Sequence, residues 1–390
     1  MALIIIGESY TFPDGNAATN RVHTYAKGFI ENGVNVHVIC FASRYDTPGD
    51  GITNGIHYYH PFGQRKRNKY FLVRRWQKIT KYFKTIILIE KINKSDKVFA
   101  IICYTQLLQT LLFVFSLAKY INSKLILERS EHPLRKYQKT IFTKKIGNFK
   151  ARIETKLCDG LFCISQYLID FYKKRNVSIK KLFLVPSTVD PERFNIQIKS
   201  PLPYKYILYC GTLTLTKDGV DILIKSYAQI AEKFLDLMLV LIGKGDTSNQ
   251  EIIIKELISR LNLDNRVFFL GQLPRTEIAV YMKNAQILAL ARPTSMVADA
   301  GFPSKLTEYL ATGVPVVVTG VGDIPVYLKD NENSFIAEPD NVDAFASKMD
   351  FVLENYDHAK NIALVGKSLT GEIFNYNFQA KRMMHFIKSL

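Results

Sequence analysis

The residues best suited to chemistry lie between positions 301 and 318. Their order predicts a loop containing glycine and proline, a short helix carrying Glu308, a break at Gly313 and a β-branched strand. A loop that opens onto a helix presents backbone N–H groups and the positive end of the helix dipole, and both attract a phosphate group. One turn later, the Glu308 carboxylate can accept hydrogen bonds from sugar hydroxyl groups. A diphosphate beside sugar hydroxyl groups is the combination found in a nucleotide sugar.

A second phosphate-binding loop is expected after the predicted strand 206–210. Gly211 permits close approach of the backbone to a ligand, and Lys217 would bring a point charge near the start of the predicted helix 220–231. The alternatives are a solvated loop lysine at Lys217 and an ordinary loop–helix–strand unit around Glu308.

Alternating strands and helices in both halves of the chain predict an α/β fold with doubly wound parallel sheets. A chain of 390 residues favours two domains, and Pro201 and Pro203 mark a linker between them. In such sheets ligands bind beyond the carboxyl ends of the strands. The predicted strands are 2–6, 34–41, 98–104, 124–127, 160–164 and 182–185 in the first half, and 206–210, 238–242, 267–270, 287–290, 315–319 and 334–336 in the second.

The segment around Glu308 resembles the donor-site signature of retaining glycosyltransferases of family 4 (group 1). That signature usually has two glutamates separated by seven residues, and Glu308 matches the second. Ala300 stands in place of the first glutamate, with Asp299 beside it. Pro303 stands where a glycine is usual, and a subgroup with the pattern Pro-Ser-Lys-Leu-x-Glu-Tyr tolerates this. The resemblance covers essentially the whole chain and is most specific from 206 to 340.

The resemblance implies a fold and a domain arrangement. The fold class is α/β, GT-B, with two Rossmann-like doubly wound domains facing across a cleft. Residues 1–198 would form the acceptor-side domain and residues 199–372 the nucleotide-sugar-binding domain. A C-terminal helix within 373–390 would cross back to the first domain.

The resemblance also implies which residues contact the donor. Thr212 replaces the arginine that usually follows Gly211, so Lys217 would carry more of the diphosphate charge. Loops after three further strands would approach the nucleotide and its base. The expected donor-binding residues are Gly15, Gly211, Thr212, Lys217, Gly243, Lys244, Leu273, Arg292, Phe302, Pro303, Ser304, Lys305, Leu306 and Glu308.

In the first domain, polar residues 128–133 follow the predicted strand 124–127. Five polar or charged side chains at a strand end are hard to bury, which favours a functional role. Family members often place a histidine or an acid here, over the donor sugar. Glu131 and His132 are both candidates, and the sequence does not choose between them.

Positive charge is concentrated in the first half of the chain. Residues 1–200 contain 33 Lys and Arg against 14 Asp and Glu, whereas residues 201–390 contain 19 against 21. The segment 65–97 alone has 12 basic residues and two acids, with apolar residues at helical spacing. Such a helix can lie on anionic lipid, and the alternative is a helix packed on the sheet with a solvated basic face. The apolar residues of this segment are Leu72, Trp76, Ile79, Phe83 and Ile86.

No DNA- or RNA-binding motif is present, so nucleic acid is not an expected partner.

The remaining composition indicates a cytoplasmic protein. Five cysteines without a CxxC pair favour buried thiols and no zinc site, and no signal peptide precedes the first strand. The apolar run 98–118 is about as long as a membrane span, but its polar residues favour a strand followed by a buried helix. Repeats of 20 to 50 residues are absent, which excludes solenoids and propellers.

These features predict a hexosyl or related glycosyltransferase that moves a sugar from a UDP- or GDP-sugar to a glycan or lipid-linked glycan. Lys217, Lys305 and N–H groups near Ser304–Leu306 would stabilise the leaving diphosphate without a metal ion or other cofactor. The setting would be bacterial surface polysaccharide synthesis, with the protein cytoplasmic or peripheral on the inner face of an anionic membrane. Three alternatives stay open: a nucleotide-sugar epimerase of the same fold, a non-catalytic donor-binding scaffold subunit, and a membrane-surface binding protein.

Overall fold

The computed structural model describes residues 1–43, 49–62, 68–135 and 140–390. The chain divides into two compact units, Met1–Thr188 together with Tyr376–Leu390, and Val189–Asn375. The division after Thr188 precedes the predicted boundary at 198 because Phe194 is buried and its short 3-10 turn packs within the second unit. The basic residues 65–67 of the predicted membrane-binding segment lie outside the described residues.

The described part of the first unit is built on an eight-stranded sheet. Its strands are β1 (Ala2–Gly7), β2 (Asn35–Cys40), β3 (Gly51–Thr53), β4 (Ile56–Tyr59), β5 (Val98–Cys103), β6 (Lys124–Arg129), β7 (Gly160–Cys163) and β8 (Leu182–Leu184). They lie in the order β3-β4-β2-β1-β5-β6-β7-β8, and every pair is parallel except β3 with β4. The β3–β4 hairpin was not predicted.

Helices connect the parallel strands of the first unit. They are α1 (Ala17–Glu31), α2 (Phe71–Ser95), α3 (Leu108–Tyr120), α4 (Ile141–Leu157) and α5 (Gln166–Lys173). Asn16 caps α1, since its side chain accepts a hydrogen bond from the Ala18 N–H at 3.0 Å. The apolar run 98–118 forms β5 and most of α3, and no helix of the described ranges is long and apolar enough to span a bilayer.

The C-terminal helix, Tyr376–Ser389, belongs to the first unit and packs on α1. Gly28 permits this contact, because a Cβ atom there would lie 2.6 Å from the Tyr376 carbonyl oxygen and 2.7 Å from the Ala380 Cβ. Tyr376 and Asn377 also donate hydrogen bonds to Glu31.

The second unit is built on a six-stranded parallel sheet. Its strands are β9 (Lys205–Cys210), β10 (Leu237–Ile242), β11 (Val267–Gly271), β12 (Ile287–Leu290), β13 (Val316–Thr319) and β14 (Phe335–Ala337). Its helices are α6 (Leu215–Asp218), α7 (Val220–Ala231), α8 (Ser248–Arg260), α9 (Arg275–Asn284), α10 (Met296–Ala300), α11 (Ser304–Thr312), α12 (Ile324–Tyr327), α13 (Val342–Glu354) and α14 (Tyr356–Ser368). Every predicted strand is present, with ends within two residues of the observed ones.

The strand order of the second unit predicts where a ligand binds. The order is β11-β10-β9-β12-β13-β14, so successive connections run outward in opposite directions from β9 and β12. The loops after these two strands diverge and leave a crevice at the carboxyl ends of the strands. Residues 211–219 follow β9 and residues 291–295 follow β12, so both segments reach this edge of the sheet.

Candidate functional site

The loops after β9, β10 and β11 stack on one another at the carboxyl edge of the second sheet. The Gly211 N–H donates to the Ile242 carbonyl oxygen at 2.9 Å, and the Gly243 N–H donates to the Gly271 carbonyl oxygen at 2.7 Å. Gly243 has φ +138°, and a side chain there would overlap the Gly211 carbonyl oxygen. The Leu213 N–H in turn donates to the Lys244 carbonyl oxygen at 2.9 Å. Gly243 is therefore required for the contact between these loops.

A lysine from another element reaches the Gly211 loop. Lys305, at the start of α11, places its Nζ 2.8 Å from Asp218 Oδ2 and 2.7 Å from the Tyr209 hydroxyl. Its ammonium group also lies 4.5 Å from the centre of the Tyr209 ring. A Cβ atom on Gly211 would overlap the Lys305 ammonium group. The absence of a side chain at Gly211 therefore leaves room for the Lys305 ammonium beside the loop.

Three cations surround the Asp218 carboxylate. Burial favours the neutral acid, but Lys305, Arg292 and Lys217 outweigh it and hold the pKa of Asp218 below its usual value. Asp218 ends the short helix α6, and Lys217 precedes it with a half-buried side chain. Asp218 is therefore a buried carboxylate held in its ionised form by the charges around it.

Arg292 is a buried arginine with unsatisfied donors. It follows β12, its side chain is 1% exposed, and its Nε and Nη2 have no hydrogen-bond partner among the described residues. Burial lowers the pKa of Arg292, while Asp218, Tyr209 and Asp299 oppose that shift. Arg292 thus lies with the predicted phosphate-binding residues. A buried N–H without an acceptor is costly, so the described residues leave the Arg292 guanidinium incompletely satisfied.

Thr212 and Leu273 lie on the same loops but make different contributions. The Thr212 side chain is exposed, and its carbonyl oxygen accepts a hydrogen bond from the Tyr209 hydroxyl at 2.6 Å. Leu273 is half-buried in the loop between β11 and α9. Neither side chain supplies charge to the site.

Glu308 lies in the middle of α11 beside two arginines. Its Oε1 is 2.8 Å from the Arg193 Nη1, and the exposed fractions of the two side chains are 15% and 21%. Arg275, at the start of α9, interacts electrostatically with both. Burial and the neighbouring Arg193 lower the pKa of Arg275 to about 10, against the opposing charges of Glu308 and Asp190. The Glu308 carboxylate is therefore oriented by ion pairing within a partly open site.

Sequence reasoning missed Arg193. The residue lies in the 3-10 turn Pro191–Phe194, and 115 positions separate it from Glu308. Neither helical spacing nor a local motif connects residues so far apart, so only the fold reveals the pair.

The segment before Glu308 divides between core and site. The Phe302 side chain is buried against Tyr327 and Phe374, and Leu306 is fully buried. Any contact that these two residues make with a ligand must therefore be through the backbone. The predicted N–H set also needs a correction, since the Leu306 N–H already donates to the Pro303 carbonyl oxygen at 3.1 Å.

Ser304 and Lys305 retain the properties expected of an anion-binding turn. They begin α11, a helix of nine residues in which Pro303 provides no side-chain cap. The α-helix itself supplies no acceptor to N–H groups of its first turn. The N–H groups of Ser304 and Lys305 therefore lie at the positive end of the α11 dipole.

In the first unit, Gly15 belongs to a compact turn before α1. The Thr11 hydroxyl donates to the Asp14 carbonyl oxygen and the Thr19 hydroxyl donates to the Thr11 carbonyl oxygen, each at 2.6 Å. A side chain at Gly15 would overlap both of these hydroxyl groups. Gly15 itself is exposed, so its backbone remains accessible.

Three of the polar residues in segment 128–133 are buried, contrary to the prediction that this segment resists burial: Glu128 and Arg129, which end β6, and His132. Glu128 pairs with Arg21 at 2.9 Å, and Arg129 pairs with Glu154 at 2.8 Å, with all four side chains at most 5% exposed. Burial is possible because each charge has a partner and further hydrogen bonds. The Glu128 and Arg129 ion pairs stabilise the first unit, and Glu131 and His132 remain the site candidates.

Glu131 and His132 differ in their surroundings. Glu131 is partly exposed and accepts a hydrogen bond from Gln106 Nε2 at 3.0 Å. His132 is buried, and its Nδ1 accepts a hydrogen bond from the Leu134 N–H at 3.1 Å. Burial, with the nearby Arg175 charge, lowers the pKa of His132 to about 4. His132 is therefore neutral at pH 7 with its proton on Nε2, where it can donate to an acceptor.

The described residues contain no cluster of three or more His, Cys, Asp or Glu side chains that could hold a metal ion. All five cysteines are buried and unpaired.

Comparison with known proteins relates this geometry to a class of enzymes. Residues 190–368 match the family described as "Glycosyl transferases group 1". The amylovoran biosynthesis glycosyltransferase AmsK of Erwinia amylovora is 22% identical over 212 residues, which cover 54% of this chain and 51% of AmsK. The first curated relatives that the chain matches are aligned over about half of their own length.

Solved structures extend the comparison to the whole chain. Sucrose-phosphate synthase from Thermosynechococcus elongatus has a TM-score of 0.73 at 17% identity, with 100% of this chain and 98% of that chain covered. The Anabaena protein HepE, in complex with UDP-glucose, has a TM-score of 0.71 at 16% identity, with coverage of 100% and 99%. The fold is therefore that of the GT-B glycosyltransferases, and residues 190–368 are similar to the group 1 glycosyltransferases.

Proposed function

We propose that this protein is a retaining glycosyltransferase of family 4 that transfers a sugar from a nucleoside-diphosphate sugar. The observation that carries the proposal is the cation cluster of Lys217, Lys305 and Arg292 at the β9/β12 crevice. Such a cluster suits a leaving group that gains negative charge during the reaction. The match of residues 190–368 to the group 1 family supports the same assignment.

The second unit supplies the donor-binding groups in this proposal. Lys217, Lys305 and the N–H groups of Ser304 and Lys305 stabilise the diphosphate as it leaves. Arg292 offers its two unsatisfied donors at the same edge. The acceptor hydroxyl attacks the anomeric carbon on the face from which the diphosphate departs, so the configuration is retained. The chain's own cations perform this charge stabilisation, and no metal ion or other cofactor is required.

Glu308 is proposed to hold the hydroxyl groups of the ribose. Its carboxylate is fixed by Arg193 on a half-buried face of α11, where it can still accept hydrogen bonds. In the first unit, Glu131 or His132 orients the sugar or the acceptor. His132 suits this role because a neutral imidazole donates one hydrogen bond without adding charge to the sugar.

The donor is proposed to be a UDP- or GDP-sugar. HepE, which shares the fold, was crystallised with UDP-glucose, and this supports a uridine nucleotide as the first to test. The acceptor is proposed to be a glycan or a lipid-linked glycan in bacterial surface polysaccharide synthesis. The similarity to AmsK, which is named for amylovoran biosynthesis, supports a role in biosynthesis.

A thermal-shift panel of UDP, GDP, ADP and CMP on the full chain tests donor binding. The expected result is a rise in Tm with UDP or GDP, because a ligand at 100 times its Kd stabilises the folded state by about 2.7 kcal/mol. Hydrolysis and transfer assays with the corresponding nucleotide sugars follow. Absence of any shift at millimolar nucleotide contradicts the proposal.

The transfer assay also separates the alternatives of the same fold. An epimerase converts the donor sugar when no acceptor is present. A non-catalytic scaffold subunit binds the nucleotide but turns over no donor with any acceptor. A retaining transferase forms product only with an acceptor and keeps the anomeric configuration, which nuclear magnetic resonance of the product reports.

The first unit is proposed to contact an anionic membrane through α2. Leu72, Trp76 and Phe83 are 78%, 67% and 63% exposed, so the apolar face of the N-terminal part of α2 is not packed on the sheet. The alternative of a helix buried through this face is thereby excluded for these three residues. Basic residues on the same helix add about 1 kcal/mol each near an anionic surface. The exposed basic residues of α2 include Arg75, Lys78, Lys84, Lys91 and Lys94.

A second helix of the first unit shares this character. In α4, Ile141, Phe142 and Phe149 are 78%, 72% and 65% exposed, and Lys144 and Lys145 are exposed beside them. Both α2 and α4 follow parallel strands, so both begin at the carboxyl edge of the first sheet. The membrane would therefore meet the edge of this unit that carries Glu131 and His132.

Flotation with vesicles tests membrane contact. The full chain is expected to float with vesicles containing phosphatidylserine and to remain unbound with purely zwitterionic vesicles. Reversal of charge at Arg74, Arg75 and Lys78 is expected to abolish flotation. Flotation that persists in this variant contradicts the electrostatic contact.

A further inference from the structure

The Gly211 loop has an exposed threonine, Thr212, at the position after its glycine, and a lysine from α11 occupies the adjacent space. We infer that Lys305 is the cation that serves the diphosphate beside Gly211, and that Asp218 and Tyr209 are positioning residues that hold it there. This inference rests on the proposed function, because it assigns roles within the same donor site.

The geometry of Lys305 is the first support. A lysine side chain has four rotatable bonds and loses rotamer freedom when it is held in one position. Here the ammonium is fixed by Asp218 at 2.8 Å, by the Tyr209 hydroxyl at 2.7 Å and by the face of the Tyr209 ring. These contacts hold the positive charge of Lys305 beside Gly211 before any ligand binds.

The two positioning residues are themselves fixed. Asp218 is 4% exposed, and Tyr209 is fully buried on β9. The Tyr209 hydroxyl donates to the Thr212 carbonyl oxygen at 2.6 Å and lies 3.1 Å from Asp218 Oδ2. The Gly211 loop, Tyr209, Asp218 and Lys305 therefore form one connected hydrogen-bonded group, although Lys305 is 87 positions from Asp218.

The charge balance favours an anionic ligand over a closed ion pair. Arg292 acts on the same carboxylate as Lys305 and has two donors without a partner among the described residues, so Asp218 alone does not satisfy both cations. Asp299, the other acid that acts on Arg292, has a pKa raised by burial. The Lys305 side chain is 15% exposed, so the ammonium remains within reach of a bound group.

A double-mutant cycle tests whether Asp218 acts through Lys305. The variants are Asp218→Asn, Lys305→Ala and the two combined, and the measurements are the Kd of the tightest-binding nucleoside diphosphate, the donor KM and kcat. Each single substitution is expected to weaken binding about 10- to 100-fold, as for a lost charged hydrogen bond. The double variant is expected to be no weaker than Lys305→Ala alone. Additive losses would show that Asp218 contributes independently, and this part of the inference would be wrong.

A gain of function tests the role of Lys305 directly. Thr212→Arg places a cation on the loop itself, and it is expected to restore most of the nucleotide affinity lost in Lys305→Ala. Asp218→Glu is expected to recover part of the affinity lost in Asp218→Asn, because it keeps the carboxylate. If Lys305→Ala binds as tightly as the wild type, or if Thr212→Arg restores none of the lost affinity, the assignment of Lys305 is overturned.

Two controls keep these outcomes interpretable. Asp236→Asn removes an exposed acid that pairs with Lys205 at 2.9 Å in the same unit, and it should leave Kd unchanged. Tyr209→Phe removes one contact of Lys305 without changing charge, and it is expected to raise the donor KM more than it lowers kcat. This second variant is used if Asp218→Asn does not fold. If the wild-type protein itself binds no nucleoside diphosphate, the proposed function fails before the variants are compared.

Discussion

The two units of this protein use charged residues at strand ends in different ways. In the first unit, Arg21–Glu128 and Arg129–Glu154 are closed ion pairs with exposed fractions of 5% or less. In the second unit, Lys305 pairs with Asp218 and Glu308 pairs with Arg193. The side chains of Lys305 and Glu308 nevertheless remain 15% exposed. Similar parallel sheets therefore carry charge in two ways: as closed buried pairs in one unit and, in the other, as partly exposed pairs that we propose bind the donor.

The partners of each charge explain the difference. Besides its ion pair, Arg21 donates to the carbonyl oxygens of Pro186 and Val185, and Arg129 donates to that of Thr105. These hydrogen bonds satisfy the buried charges within the unit. Arg292, by contrast, is equally buried and has two donors without a partner among the described residues. The buried charges of the first unit are therefore satisfied within the unit, whereas those of Arg292 are satisfied only in part by the described residues.

The largest effect is expected from breaking a closed ion pair. Glu128→Gln leaves the Arg21 guanidinium buried without its counter-charge, so the free energy of unfolding should fall by about 3–5 kcal/mol. Urea denaturation measures the change. The matched control is Glu131→Gln, three positions away and partly exposed, which should cost less than about 1 kcal/mol. Equal losses in the two variants would contradict the comparison.

The next largest effect is expected from removing the partly exposed charged side chains of the second unit. Lys217→Ala and Glu308→Ala are each expected to lower turnover by on the order of 10²-fold or more, since each removes a group proposed to contact the donor. The Tm of both variants should stay close to the wild-type value. Steady-state transfer kinetics measure the effect, and wild-type turnover in either variant would remove that residue from the site.

A smaller effect is expected from the exposed apolar residues of the basic helix α2 in the first unit. Trp76→Ala removes an exposed aromatic side chain and should weaken vesicle binding by about 1–2 kcal/mol, or roughly tenfold. Leu235→Ala removes a side chain of the second unit that is 74% exposed and should leave binding unchanged. Vesicle flotation or sedimentation compares the two, and an equal loss in Leu235→Ala would contradict a contact specific to α2.

The smallest effect concerns the pH dependence of stability. The pKa of His132 is lowered to about 4, whereas an unfolded histidine titrates near 6.5. Its contribution to stability is therefore complete above about pH 6.5 and is lost as the pH falls towards 4. His132→Gln should reduce the loss of Tm over this range, and His358→Gln, an exposed position in the second unit, should not. His37, whose pKa burial and His57 also lower to about 4, should keep part of the acid sensitivity in both variants.

Much of the fold could be predicted because strands and helices leave local signals. The apolar runs of β9, β10 and β12, each followed by glycine or a polar loop, predicted strand ends within two residues. The β3–β4 hairpin was missed because its strands have only three and four residues and little alternation. The start of the second unit was placed too late because buried Phe194, and not the proline pair, decides where the chain joins it.

The site was predictable only in part. Glu308 and Lys305 could be predicted as site residues because the loop and helix that carry them form a local pattern, and their contact with a ligand stays a prediction. The prediction of a functional role for residues 128–133 as a group was too broad. Arg21 and Glu128 are 107 positions apart, and nothing in the sequence shows that they form an ion pair. Phe302 and Leu306 were predicted as donor-binding residues, and the sequence did not show that their side chains belong to the core, because a motif does not distinguish a backbone contact from a side-chain contact.

The order of amino acids by itself determined the α/β class, the positions of the strands and the loops at which a phosphate could bind. These follow from local backbone preferences and from the spacing of apolar residues. Only the tertiary structure decided that Lys305 joins Asp218 beside Gly211, that Arg193 orients Glu308 and that α2 leaves its apolar face exposed. The physical reason is that each of these contacts joins distant segments, or depends on what covers a surface, and the energy of such contacts is set by burial and charge in three dimensions.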